Sequence, residues 1–250
     1  MDASIRVAEL RAGRGVGWLA DAFALFRRAP LAWIGLSMGW IAITFALLIL
    51  IPFGIIIANL LQPAFAASFA ISAYRASAGE AVRPLDLFAG FRRNMGALLK
   101  VGVVLLVAEL VISIVMVLLG FPVSKSSAEG EVSMTEYAKV IGDNLWIVLV
   151  GLALNALVRG ALWFAAPLIS LQGMGAAQAM RWSIYAAIAN LGTMFVYGAT
   201  LFVIFFLGAI PWALGLVLVV PVAVISTYVS YREVFEDATT QRTFPLSPNS

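Results

Sequence analysis

Apolar residues in this chain come in long runs, most of about 20 residues and each long enough to cross a bilayer's hydrocarbon core as an α-helix. Six such runs are predicted, at Pro30 to Ile51, Phe53 to Tyr74, Met95 to Phe121, Leu145 to Leu171, Leu191 to Ile210 and Trp212 to Tyr231. The pattern predicts an all-α, polytopic membrane protein: one six-span domain over residues 1–237, followed by a flexible cytoplasmic tail at 238–250. Five arginines and three acids lie in the 29 residues before the first run. That segment is too long and too mixed for the start of a signal peptide, so the first run is expected to stay uncleaved as a true span.

A second, shorter pattern precedes alternate spans. "FRRA" at 26 to 29 and "FRRN" at 91 to 94 each close an amphipathic stretch and open a span, and a degenerate third copy ends in "AIAN" at 187 to 190. In the first stretch Leu19, Phe23 and Phe26 share one helical face while Arg14, Asp21 and Arg28 share another, the pattern of an interfacial helix. The second stretch begins at Pro84, a favourable first helical residue, and places Leu85, Phe88 and Phe91 on its apolar side. The third sets Ala177, Met180, Ile184 and Ile188 against Gln178, Arg181 and Tyr185.

The chain is therefore read as three hairpins, each preceded by an amphipathic interfacial helix and related by rotation about the membrane normal. The first and third hairpins turn at "IPF" and "IPW", and their returning helices carry Pro63 and Pro221. Gly35 and Gly39 form a GxxxG on span one, a pattern that admits close helix approach. The middle hairpin holds the one long outer connection, residues 122 to 144. There Ser133 and Glu136 form a capping-box pattern and Met134 to Ile141 is expected to be a short surface helix ending near Gly142.

Charge sets the orientation. Arg6, Arg11, Arg14, Arg27 and Arg28, then Arg75, Arg83, Arg92 and Arg93, then Arg181, Arg232 and Arg242 fall on one side, with Lys100 close enough to snorkel there. The other side holds Lys125 and Lys139 among Glu129, Glu131, Glu136 and Asp143. Basic loops are retained in the cytoplasm, so both termini are expected inside. The net charge of +3 and pI near 9.4 reflect this topology, and no nucleic-acid partner is implied, since the basic residues form no recognisable binding module. Composition agrees: 62% hydrophobic and 12% charged residues, with mean hydropathy +0.99, lie far outside soluble-domain usage.

The chemistry of the chain is sparse. It has no cysteine and no histidine, which removes disulfides, thiolate metal sites and the commonest general base. No metal or cofactor is expected. Hydrolase and phosphate-loop motifs are absent, and "GVG" and "GMG" lack the third glycine and strand context of a dinucleotide site. One polar centre stands out in "LNALVRGALW", residues 154 to 163. Arg159 lies twelve residues before Leu171 and Glu109 fourteen after Met95, depths of about 18 and 21 Å. A charge inside a span costs about 2.5 to 3.5 kcal/mol on insertion scales, so each needs a partner. Asn155 stands one turn from Arg159, with Trp163 a turn the other way and Ser113 a turn from Glu109; Asn59 and Gln62 lie at comparable depth on span two. Two readings stay open: a buried ion pair that docks the hairpins, with amides as interhelical glue, or a midplane anion or proton site.

"DAFALFRRAPLAW" at 21 to 33, "LFAGFRRN" at 87 to 94 and "STYVSYREVFED" at 226 to 237 resemble an uncharacterised family of small bacterial six-span inner-membrane proteins. In outline the chain is similar to the membrane domain attached to some glycerophosphodiester phosphodiesterases, without a counterpart of their catalytic domain. The resemblance implies a multi-pass protein of the bacterial inner membrane and brings no catalytic residues. The expectation is a non-enzymatic scaffold or accessory component whose partners are membrane lipids and a membrane or soluble protein, with an oligomer allowed. The alternative is a small transporter or channel using Glu109 and Arg159.

Overall fold

A computed structural model describes residues 6–122, 134–210 and 213–236. The described residues form helices and turns without strands. Six helices are long and apolar enough to cross a membrane, and the chain is in this respect a multi-pass membrane protein. The 238–250 tail and the Pro211–Trp212 turn lie outside the described residues.

Helix α1 (Arg14–Phe26) buries Trp18, Leu19, Ala22, Leu25 and Phe26, a stripe at three- and four-residue spacing. Phe23, expected on that face, is 45% exposed; it stacks on Phe26 and underlies the Arg27 guanidinium. Helix α2 (Pro30–Leu50) starts on Pro30, whose missing N–H is harmless in a first turn. Phe53 turns the chain in the left-handed region into α3 (Gly54–Ser77). The second expected interfacial helix is instead two short 3₁₀ turns, Pro84–Phe88 and Gly90–Arg92. Asp86 and Leu87 turn inward there, leaving Leu85 and Phe88 exposed. Asp86 accepts the Arg83 backbone N–H at 2.8 Å and pairs with Arg75 at 3.3 Å, so the polar contacts of one carboxylate decide which way the segment faces.

Helix α4 (Met95–Leu118) is followed by α5 (Met134–Asp143), which contains the surface helix expected at Met134 to Ile141. Ser133 and the Glu136 side chain lie outside the described residues. The fourth expected span is divided into α6 (Leu145–Ala161) and α7 (Ala165–Gln172). Pro167, in the first turn of α7, has no N–H to return to Trp163. Ser183, on α8 (Ala176–Ala189), bridges the break: its hydroxyl accepts from the Phe164 N–H at 3.0 Å and donates to the Ala161 carbonyl at 2.8 Å. On α8 the buried face is Ala176, Ala179, Ser183, Ala186 and Ala187. Ile184 and Ile188, set on the apolar side of the expected interfacial helix, are exposed. Helix α9 (Leu191–Ala209) and α10 (Leu216–Tyr231) complete the set, and a π-turn at Arg232–Glu236 extends the last span.

One face of the bundle gathers both described ends. The Ala8 N–H donates to the Val234 carbonyl at 2.9 Å, Asn94 donates to the Met174 carbonyl, Gln172 donates to the Tyr231 hydroxyl, and Ser77 meets Tyr228. The buried core lies mainly toward this face, around Trp18, Trp33, Leu98, Phe164, Leu168, Tyr228 and Phe235. Half of α3 and half of the last span are buried, against 11 to 22% of the other four spans, so α3 and α10 form the centre. Both carry their proline buried, Pro63 and Pro221. The segments before the span pairs pack in a cycle: α1 against α9 and α10, the 3₁₀ turns mainly against α3 and α2, and α8 against α7 and α6.

Close approach is not made by the GxxxG of span one. A methyl group added at Gly35 would meet nothing within 4 Å, and at Gly39 only the Leu87 side chain at 3.2 Å. At Gly102 it would strike the Leu60 carbonyl of α3, at Gly90 the Ala64 carbonyl, and at Gly15 the Thr193 carbonyl of α9.

Candidate functional site

The polar centre joins three helices. Arg159 is near the end of α6, Glu109 is on α4 and Gln62 is on α3, one residue before Pro63. The Arg159 guanidinium uses each of its nitrogens: Nη2 donates to Glu109 Oε1 at 2.7 Å, Nη1 to Gln62 Oε1 at 3.0 Å and Nε to Asn155 Oδ1 at 2.6 Å. Asn155 closes the ring by donating through Nδ2 to the second carboxylate oxygen, Glu109 Oε2, at 2.8 Å. Asn155 therefore accepts from the cation and donates to the anion, which fixes both charged groups with one amide. Hydrogen bonds to ionised groups are the short, strong ones, and four of them here span α3, α4 and α6.

Four of the five expected residues, Glu109, Arg159, Asn155 and Gln62, are brought together. Asn59 is not: its amide donates to the Ile55 carbonyl of its own helix at 3.0 Å. Ser113 bonds the backbone carbonyl of Glu109 rather than its carboxylate, and Trp163 gives its indole N–H to Ser230. The ring is off the packed core. The Arg159 and Glu109 side chains keep 39% and 31% of their accessible surface.

A second polar cluster ties α1 to the end of the last span; Arg14 and Asp21 were expected on one helical face, but Glu233 was not singled out from the sequence. Glu233 accepts from Arg14 Nε at 2.7 Å and from Trp18 Nε1 at 2.8 Å, and Arg14 also meets Asp21 at 3.0 Å. The Glu233 hydrogen bond holds the Arg14 guanidinium well above its ordinary pKa. Asn190 does the same work for the N-terminal strap, accepting from the Leu10 N–H and donating to the Ala8 carbonyl, each at 2.9 Å. The only sequence signals for these roles are the acid just after the last apolar run and the asparagine before span five. Both read as ordinary flanking polar residues.

No family model matches this chain, and no curated protein and no solved structure is similar to it.

Proposed function

We propose that this chain is a non-enzymatic protein of the bacterial inner membrane, a scaffold or accessory component with both termini in the cytoplasm. One observation carries the reading: the Glu109 and Arg159 charges are matched to one another and to two amides on three helices. A charge pair completed by its own neighbours is suited to docking helices, whereas a transport site keeps ligand-facing groups open. The basic residues of the face that holds the described ends support the orientation. The cyclic packing of α1, the 3₁₀ turns and α8 on the preceding span pairs supports a threefold parallel repeat of hairpins.

A small transporter or channel is the second reading, favoured by the exposure of the pair, about a third of each side chain. Proteoliposomes containing the purified chain separate the two. The scaffold reading expects no proton or anion flux above that of empty vesicles and no difference for Arg159→Leu. A flux that Arg159→Leu abolishes overturns it.

A further inference from the structure

On the face that holds the described ends, a cavity of about 680 Å³ is lined by Val7 and by Gln178, Arg181, Trp182 and Tyr185 of α8. The four α8 residues are three or four apart, so they share one side of the helix. That side holds a guanidinium, an amide, an indole and a phenol. Arg181 and Gln178 are exposed and Tyr185 is 56% exposed, while Trp182 is half-buried and set edge-on to Tyr185 at 5.9 Å. Among the described residues neither Arg181, Gln178 nor Tyr185 has a side-chain hydrogen bond or an ion pair. Arg14, Arg75 and Arg159, by contrast, each have a carboxylate.

We propose that this cavity holds the phosphate of an anionic phospholipid headgroup. Arg181 grips two phosphate oxygens through its fork, as guanidinium does wherever planar recognition of phosphate is needed. Gln178 and the Tyr185 hydroxyl donate to the remaining oxygens or to the headgroup alcohol. The volume is that of a small-molecule site. Position selects a lipid over a free anion: α8 joins the end of the fourth span to the start of the fifth, and an indole and a phenol at that level are interfacial anchors. Ile184 and Ile188 of α8, then Leu191 and Phe195 of α9, are exposed in succession and provide an apolar track for the acyl chains. A basic pocket at the span ends is the arrangement that takes anionic lipid heads.

The test uses the full chain, delipidated in mild detergent and returned to vesicles of phosphatidylcholine alone, of phosphatidylcholine doped with phosphatidylglycerol, or of phosphatidylcholine with inorganic phosphate added. Thermal stability and lipid retained in native mass spectrometry are read. The wild type is expected to retain phosphatidylglycerol and to shift its melting only in the doped vesicles. Arg181→Gln is expected to lose this, with retention about tenfold weaker or worse, while melting like the wild type in phosphatidylcholine alone. Arg181→Lys keeps charge without the fork and is expected to fall between; it also serves if Arg181→Gln accumulates poorly. Retention unchanged in both variants overturns the site. An equal shift with inorganic phosphate alone overturns the lipid assignment in favour of a free anion.

Discussion

An arginine in the middle of an apolar run carries a cost that only partners offset, and three nitrogens of Arg159 have one each. Truncating either charge strands the other, so Arg159→Leu or Glu109→Leu alone is expected to destabilise by about 3 kcal/mol. The double variant is expected to recover much of that, a coupling that thermal unfolding of the four proteins in one detergent measures directly. Additive losses would mean that the two charges are held independently. The amides differ in the same way. Gln62→Leu removes an acceptor of Arg159 and is expected to cost about 1 kcal/mol, whereas Asn59→Leu, which loses only a bond to its own helix, is expected to stay within about 0.5 kcal/mol. A larger effect at Asn59 than at Gln62 would reverse their assignments. The ring was legible from depth counting because charges are rare in spans. The Asn59 outcome was not, because an asparagine can satisfy itself on the carbonyl four residues back.

At the scale of elements, backbone contact replaces side-chain interlock. Helices α3 and α4 approach so closely at Gly102 that a β-carbon would strike the Leu60 carbonyl. Gly102→Ala is expected to cost roughly 1 to 3 kcal/mol through forced separation, while Gly35→Ala, facing open space, is expected to be neutral or stabilising by up to about 1 kcal/mol. Melting of the two variants side by side checks this, and equal effects would refute the contact. Ser183 is the other element-scale pin. Ser183→Ala leaves the Phe164 N–H and the Ala161 carbonyl without their shared partner, and a loss of about 1 to 3 kcal/mol is expected. The GxxxG on span one does not mark a close helix approach, because the motif records small side chains and not what stands opposite them.

For the whole molecule, the arginine asymmetry makes a topological statement. Reporter fusions after Gly79 and at the C-terminus are expected to be active inside, and a fusion after Ser126 outside. A cytoplasmic Ser126 would remove the odd-numbered span count between them. The same face then holds the Arg14, Trp18 and Glu233 cluster and the α8 cavity, so the described ends, the tethering contacts and the lipid site share one compartment.

Span number, span position and the identity of the charged centre were determined by the sequence alone, since each follows from local hydropathy and from the cost of a charge in hydrocarbon. Tertiary structure decided which helices are central, which glycines are contacts, where the fourth span breaks and that Ile184 and Ile188 face outward. The physical reason is that lipid is as apolar as a protein interior. A span is therefore hydrophobic all round and carries no periodic mark of its buried side. Only packing separates α3 and α10, half buried, from four spans that are mostly exposed.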